Sequence, residues 1–197
     1  MEDKLKSLKE HVTALAADPK FVHHKWFTQW HLQIVERIAL ELLEHYPEAN
    51  RDVVIAMVWL HDYGKIIDFD EQYSAQYIDA GRDKLLELGF DAEFAASVAA
   101  NIARADQKTE LDKADIEVQI VASADGCSHL VGPFIRLWWH EHPNQPFEEI
   151  MAENVRKLGV DWERKVVLPE ARAAFQVRHD VSMEQSGKLP SSFLKGE

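Results

Sequence analysis

The sequence contains a single cysteine, Cys127, among its 197 residues. One cysteine cannot form a disulfide within the chain, and it cannot supply the several thiolates of a structural zinc cluster. We expect it to be a small buried apolar residue. The chain also has no apolar run of membrane-spanning length, and its charged N-terminus, "MEDKLKSLKEHVTAL", lacks the apolar stretch of a signal peptide. The sequence therefore predicts a cytoplasmic protein without a membrane partner.

Basic residues are scarce. The chain has 22 Lys and Arg against 34 Asp and Glu, which gives a formal net charge of −12. No block of basic residues interrupts this excess, and an acidic surface repels a phosphate backbone. We therefore expect no long nucleic acid as a partner. A small anionic substrate remains compatible with this charge if its pocket contains a metal ion and cations of its own.

The alternating pattern of β-strands is missing, and so are internal repeats and domain linkers. Apolar residues instead recur at helical spacing, as Leu5, Leu8, Val12 and Leu15 do. Such patterns predict a helix to about Ala17 and further helices over about 28–46, 50–62, 72–88, 92–105, 112–130, 133–141, 147–158 and 162–177. The residue types at the boundaries of these segments predict caps at Asn50 and Asp91 and helix ends at Gly64 and Gly89.

The fold class that follows is all-α, a single-domain helical bundle over residues 1–180. The last residues, 181–197, are polar and contain glycine and proline, so they are predicted to form a loose C-terminal tail.

Two adjacent polar residues end the apolar run "VVIAMVWL": His61 and Asp62. Consecutive helical residues point about 100° apart, so both can reach one ion only beside a helix end or among several helices. Further ligands must come from elsewhere in the chain. His31, in "QWHLQIVERIALEL", and Asp125, after the apolar run of "IEVQIVASADG", are the candidates, since a buried acid is costly unless it is paired or bound to metal. Two imidazoles and two carboxylates suit Mn, Fe, Co, Ni or Zn better than Ca or Mg.

The order of these motifs resembles the HD superfamily of metal-dependent phosphohydrolases. "HLQIVERIALEL", "WLHDYGKI" and "VASADGCSHL" are similar to its marked segments, and the resemblance covers about residues 20–130. It implies an all-α fold of the HD-domain type and hydrolysis of phosphate esters, often in nucleotides. It also implies that the metal ligands are His31, His61, Asp62 and Asp125.

One divalent metal ion is expected rather than two. Two-metal relatives carry further histidines between the "HD" pair and the last aspartate, whereas this chain has no histidine from residue 63 to residue 128. Asp106 stays open as a substitute ligand for a second site. Arg104, in "VAANIARADQ", is the nearest polar candidate where such relatives have a histidine, and its guanidinium can bind a phosphate in bidentate fashion.

The resemblance also suggests roles in catalysis. Asp62 or Asp125 would orient a metal-bound water, and Lys65 and Arg104 would neutralise phosphate oxygens. His129, four residues beyond Asp125 on the same helix face, is a further candidate for substrate binding. Some one-metal nucleotidases of this superfamily have a glutamate where this chain has Lys65, so the general acid or base is left open.

The predicted function is a metal-dependent phosphohydrolase that acts on a small phosphorylated metabolite, with a nucleotide as the first candidate. The alternative is a non-catalytic module that binds metal and ligand in a regulatory role. The net charge of −12 and the missing glutamate favour it, and the intact ligand set opposes it. The stretch around Trp138 and Trp139 could stack a base, belong to the core, or join the first helix in a homodimer interface. His23 and His24 could line the pocket or lie outside it.

Overall fold

The computed structural model describes residues 1–70, 79–192 and 194, and every regular element within them is a helix. The prediction of an all-α fold is confirmed. The α-helices are α1 (Glu2–Ala16), α2 (Gln33–Leu43), α3 (Arg51–Leu60), α4 (Tyr63–Ile67), α5 (Ala80–Glu87), α6 (Ala92–Asp106), α7 (Ile116–Ser128), α8 (Phe134–Glu141), α9 (Phe147–Arg164) and α10 (Pro169–Gln185). A π-helical turn, Thr28–Leu32, runs directly into α2, and a 3₁₀ turn, Leu111–Lys113, precedes α7.

Helix α3 forms the centre of the bundle. Its residues from Val53 to Leu60 are all buried, so it is apolar around its whole circumference and can only lie inside the molecule. It packs against α1, α2, α6 and α7, and α7 packs in turn along α2. The C-terminal end of α3 therefore opens among other helices, as a shared ion site requires.

Several predicted helix boundaries are confirmed. The Asn50 side chain accepts hydrogen bonds from the backbone N–H groups of Asp52 and Val53 at the start of α3. Asp91 caps α6 by accepting from the N–H of Phe94 at 2.8 Å. Gly89 follows α5 with a φ of +80°, a conformation that favours glycine after a helix.

The predicted role of Gly64 is wrong. It does not end α3, which stops at Leu60; it lies inside the short helix α4. His61 and Asp62 form the turn between these two helices, and this turn aims both side chains towards the interior. The predicted helix 72–88 lies partly outside the described residues, and α5 covers its second half.

The predicted division of the C-terminal region is also wrong. One helix, α9, runs through Gly159, where a break was expected. A single glycine costs a helix only about 1 kcal/mol relative to alanine, and buried Leu158 and Trp162 hold the helix on either side. The chain turns at 165–168, and α10 then extends to Gln185, five residues into the predicted tail. Both helices pack on α7, so the region after residue 130 joins the same bundle.

The structure also bears on the single cysteine and on the apolar character of the helices. Cys127 is buried in the core, as expected. None of the helices in the described part of the chain combines the length and the apolar composition needed to cross a membrane.

Two helical glycines provide a matched test of this packing. A Cβ atom on Gly126 would lie 2.9 Å from Val166 Cγ2 and 3.2 Å from Lys165 Cβ, whereas one on Gly159 would meet nothing within 4 Å. Gly126→Ala should therefore destabilise the protein by about 1–3 kcal/mol through overpacking. Gly159→Ala should stabilise it by about 0.5–1 kcal/mol, because alanine loses less backbone entropy in a helix. Denaturant unfolding measures both, and a Gly126→Ala protein as stable as the wild type would contradict the contact between α7 and residues 165–166.

Candidate metal centre

Four donor atoms from three separate parts of the chain converge at the end of α3. His31 comes from the π-helical turn, His61 and Asp62 from the turn after α3, and Asp125 from α7. His31 Nε2 lies 3.1 Å from His61 Nε2, 3.4 Å from Asp62 Oδ2 and 3.7 Å from Asp125 Oδ1. His61 Nε2 lies 3.6 Å and 3.9 Å from the same two oxygens. Ligands that each lie about 2.1 Å from one ion are separated by about 3–3.5 Å, so this cluster is close to metal-binding geometry.

The hydrogen bonds of the two histidines fix their lone pairs. His61 Nδ1 donates to the carbonyl oxygen of Val58 at 2.8 Å, which leaves Nε2 unprotonated in the neutral ring. His31 Nδ1 lies 3.1 Å from Ser128 Oγ. The Ser128 hydroxyl donates to the Asp125 carbonyl oxygen at 2.7 Å, so it can only accept from His31.

Two imidazole lone pairs therefore face each other between two carboxylates. Burial lowers the pKa of His31 to about 4, so its ring is neutral near pH 7. Such a group of acceptors is repulsive until a cation lies among them, and partners on Nδ1 that orient Nε2 are typical of metal-binding histidines. The donor set thus fits a divalent ion of the kind that accepts both nitrogen and oxygen ligands.

Each carboxylate of the cluster is bound to its own lysine. Asp62 Oδ1 lies 2.8 Å from Lys65 Nζ, and Asp125 Oδ2 lies 2.5 Å from Lys165 Nζ. Burial alone would raise the pKa of Asp62 and Asp125, but the neighbouring cations, Lys65 and Lys165 first among them, hold both well below the ordinary value. Both carboxylates therefore stay ionised, with one oxygen on a lysine and the other on the cluster.

His129 lies beside this cluster and has a carboxylate partner of its own. Its Nδ1 is 2.7 Å from Asp161 Oδ2, and its Nε2 is 3.5 Å from Asp125 Oδ1. Its ring stacks parallel to that of His31, with centroids 5.3 Å apart. His129 therefore offers its Nε2 as a further donor atom beside Asp125.

The described residues contain two groups of side chains that could hold a metal ion, and both include His31. One adds His61 and Asp62, and the other adds Asp125 and His129. Asp106 lines the same cavity but belongs to neither group. Burial and the nearby charge of Asp62 raise the pKa of Asp106. The assignment of ligands and the count of one ion stay predictions.

The donor atoms open into a cavity of about 700 Å³. Four lysines line it: Lys65, Lys108, Lys157 and Lys165. Rings of aromatic and histidine side chains line another part of its wall: His23, Trp26, Phe27, Tyr63, Phe69, Phe134 and Trp138. The cavity thus combines cations for an anionic group with flat apolar surface for a ring.

A hydrogen-bonded trio at the aromatic wall was not predicted. Glu141 on α8 accepts from Trp26 Nε1 at 2.6 Å and lies 2.7 Å from His23 Nδ1. His23 is buried and lines the cavity, while His24 is bound to the carbonyl of Phe21 outside it. Trp138 lines the cavity with its ring stacked on His142.

The prediction that Arg104 contacts substrate is wrong. Its guanidinium donates to the carbonyl oxygens of Thr109 and Glu110, each at 2.9 Å, and it does not line the cavity. The neighbours Ala103 and Ala105 do line it. Consecutive residues of a helix point about 100° apart. The prediction placed Arg104 on the face of α6 that its neighbours occupy, and Arg104 itself points away from the cavity.

Two residues of α9, Lys157 and Asp161, and the lysine that follows the helix, Lys165, are the main residues that sequence reasoning missed. Lys165 binds Asp125, and Lys157 lies 2.9 Å from Asp161 Oδ2. They lie beyond residue 130, where no motif was recognised. The signal that could have found them is the spacing of Lys157, Asp161 and Lys165 at every fourth position of one helix, on a face that also contains Leu158.

Comparison with known proteins places this site within a matched segment. The family model described as "HD domain" matches residues 30–130, a span that contains His31, His61, Asp62 and Asp125. A 3′-5′ exoribonuclease, YhaM of Geobacillus sp. (strain WCH70), is 36% identical over 62 residues, which is 30% of this chain and 19% of the relative. The chain therefore matches about a fifth of that relative's length. Comparison with the solved structures gave no match.

Ser128 gives a direct test of the histidine arrangement. In Ser128→Ala the Nδ1 proton of His31 loses its acceptor, so the ring is no longer held with Nε2 towards the cluster. Affinity for Mn²⁺ or Co²⁺ should fall about tenfold or more, the usual effect of removing such a partner. Titration calorimetry measures this. Ser186→Ala is the matched control, because Ser186 Oγ is also buried but has no hydrogen-bond partner among the described residues. Equal metal affinities in the two variants would refute the arrangement.

Proposed function

The chain belongs to the HD domain family, and from that premise we propose that it is a metal-dependent phosphohydrolase acting on a small phosphorylated metabolite, with a nucleotide as the first candidate. The observation that carries the proposal is the convergence of four donor atoms in a cavity lined by lysines: two imidazole nitrogens lie 3.1 Å apart, and one oxygen each of Asp62 and Asp125 lies 3.4–3.9 Å from both nitrogens.

The size and charge of the molecule favour a small substrate. The cavity of about 700 Å³ lies within the range of small-molecule sites, about 300–1,000 Å³. The net charge of −12 disfavours a long polyanion. The similar YhaM is named for its action on RNA, and its match covers too little of either chain to carry that substrate here. The lysines and the aromatic wall together suit a molecule with a phosphate at one end and a ring at the other.

The chain's own residues supply binding, orientation and proton transfer in this proposal. A divalent ion in the cluster would provide a Lewis acid and lower the pKa of a bound water. Asp62 and Asp125, kept ionised by their lysines, would hold such an ion and would orient a water beside it. Lys65 has further N–H donors beyond its bond to Asp62, and these contact a non-bridging phosphate oxygen. His129, whose Nδ1 is held by Asp161, offers a free Nε2 beside Asp125 as proton acceptor.

A non-catalytic metal- and ligand-binding module is the second candidate. Lys65 favours this candidate, because it occupies the position where some one-metal nucleotidases of the superfamily have a glutamate. Its ammonium group is bound to Asp62 and cannot serve as the general base that a glutamate could supply. In this case the protein would bind metal and phosphorylated ligand without turnover.

A substrate panel separates the two candidates. Nucleoside mono-, di- and triphosphates and simple phosphate monoesters are incubated with protein loaded with Mn²⁺, Co²⁺, Ni²⁺ or Mg²⁺, and released phosphate is measured. We expect turnover with at least one of the transition metals. Metal-loaded protein that binds a nucleotide yet releases no phosphate under any of these conditions would favour the non-catalytic module.

Lys65→Met tests the phosphate contact on the best substrate. A charge-assisted hydrogen bond contributes about 1.5–3 kcal/mol, so kcat/KM should fall about tenfold to a hundredfold. Metal content should stay near that of the wild type, because an ammonium group has no lone pair to offer a metal. Lys6→Met, which removes an exposed lysine paired with Glu10, is the control for net charge. If Lys65→Met and Lys6→Met keep the same kcat/KM, Lys65 does not contact the phosphate.

A further inference from the structure

Lys108 has a backbone conformation that its residue type does not favour. It follows the end of α6 with a φ of +53°, and Glu110 has a φ of +47°. These are the only non-glycine residues with positive φ in the described part of the chain. The left-handed position after a helix usually contains glycine or asparagine, and other residues are strained there. Glycine would adopt this backbone conformation with less strain, and strained residues of this kind cluster at ligand-binding sites.

Arg104 holds this strained segment in place. Its guanidinium donates to the carbonyl oxygens of Thr109 and Glu110, the two residues that follow Lys108. The backbone N–H of Lys108 donates to the carbonyl of Ala105 at 3.2 Å. The segment is therefore fixed to α6 from both sides of Lys108.

The Lys108 side chain lines the same cavity as the metal-donor cluster and is half-buried. Within the described residues no carboxylate lies within 4.0 Å of its ammonium group, and it makes no side-chain hydrogen bond. The other cationic side chains of the cavity all have carboxylate partners: Lys65 with Asp62, Arg82 with Asp79, Lys157 with Asp161, and Lys165 with Asp125.

A half-buried ammonium group keeps part of its hydration, and without a carboxylate partner its N–H donors remain available to a ligand in the cavity. The charged groups that act on Lys108 most strongly are Lys165, Asp125, Asp161 and Lys157. Burial and the charge of Lys165 lower the pKa of Lys108. Lys108 also lines a smaller cavity of about 280 Å³ with Glu163 and Arg164, so it lies near the end of α9, whereas Lys65 is bound to Asp62 on the side of α4.

We propose that Lys108 is the specificity-determining contact of a second anion subsite, which receives the second of two linked phosphoryl groups, and that Arg104 is its positioning residue. The inference rests on the proposed function for the identity of the first group, which lies at the metal-donor cluster. It predicts a preference for compounds with two linked phosphoryl groups over those with one.

Anion binding tests the subsite without turnover. Inorganic phosphate and inorganic pyrophosphate are titrated calorimetrically into protein that has been loaded with Mn²⁺ and freed of excess metal. Wild-type protein should bind pyrophosphate about tenfold more tightly than phosphate, as expected for one added charge-assisted contact. Lys108→Met should remove most of this difference and change phosphate affinity less than about twofold. Lys113→Met, which removes an exposed lysine on the same loop, is the control and should leave both affinities unchanged.

Either of two results would overturn the subsite: a wild-type protein that does not prefer pyrophosphate, or a Lys108→Met protein that keeps the preference. A protein that shows the expected binding but hydrolyses no phosphate ester would refute the proposed function and leave the subsite standing.

Lys108→Gly separates a binding role from a structural one. Glycine adopts the positive φ without strain, so the melting temperature should rise or stay the same, while the pyrophosphate preference disappears as in Lys108→Met. A Lys108→Gly protein that melts at a lower temperature and keeps the preference would show that the side chain serves the fold.

A double-mutant cycle tests the role of Arg104. If Arg104 acts only by holding Lys108, Arg104→Ala should lower pyrophosphate affinity in the wild-type background and have no further effect in the Lys108→Met background. Equal losses in both backgrounds would overturn the positioning role.

Discussion

The structure depends on one electrostatic constraint: four acceptor atoms, two of them imidazole lone pairs only 3.1 Å apart, are held together at the end of a buried helix. Such a cluster is repulsive by itself. Two lysines offset the negative charge by binding the outer oxygens of Asp62 and Asp125, and hydrogen bonds to Val58 and Ser128 keep the histidines from turning away. The helices act as a frame for an arrangement that a cation completes.

This constraint explains why the C-terminal helices belong to the site. The matched family segment ends at residue 130. The side chains that bind its last polar residues, however, come from beyond residue 130. Lys165 and Asp161, at the end of α9, bind Asp125 and His129, and the close contact at Gly126 lets α9 approach α7 to make these bonds. Without α9, a buried aspartate would lose the cation that keeps its pKa low. The region with no recognisable motif thus supplies the electrostatic support of the motif.

Apolar periodicity within each segment was enough to predict the fold class. The order of the three short motifs along the chain was enough to predict that His31, His61, Asp62 and Asp125 converge. The misses have two physical causes. Arg104 and Gly64 were misplaced by one residue or one turn, and helix phase changes by about 100° per residue. The cavity lining from α8 and the pairing of Lys165 with Asp125 depend on how distant helices pack; the regular spacing of Lys157, Asp161 and Lys165 marks a charged helix face but not the partner that it meets. The strain at Lys108 is a backbone property that appears only in three dimensions.

The most direct test of the account is a crystal structure of the protein loaded with Mn²⁺ or Co²⁺, with anomalous scattering used to locate the ion. We predict an anomalous peak within about 2.0–2.3 Å of His31 Nε2 and His61 Nε2, with Asp62 and Asp125 completing the ligand set. A peak bound by Asp125 and His129 without contact to His61, or no ordered ion in this cluster, would contradict the account.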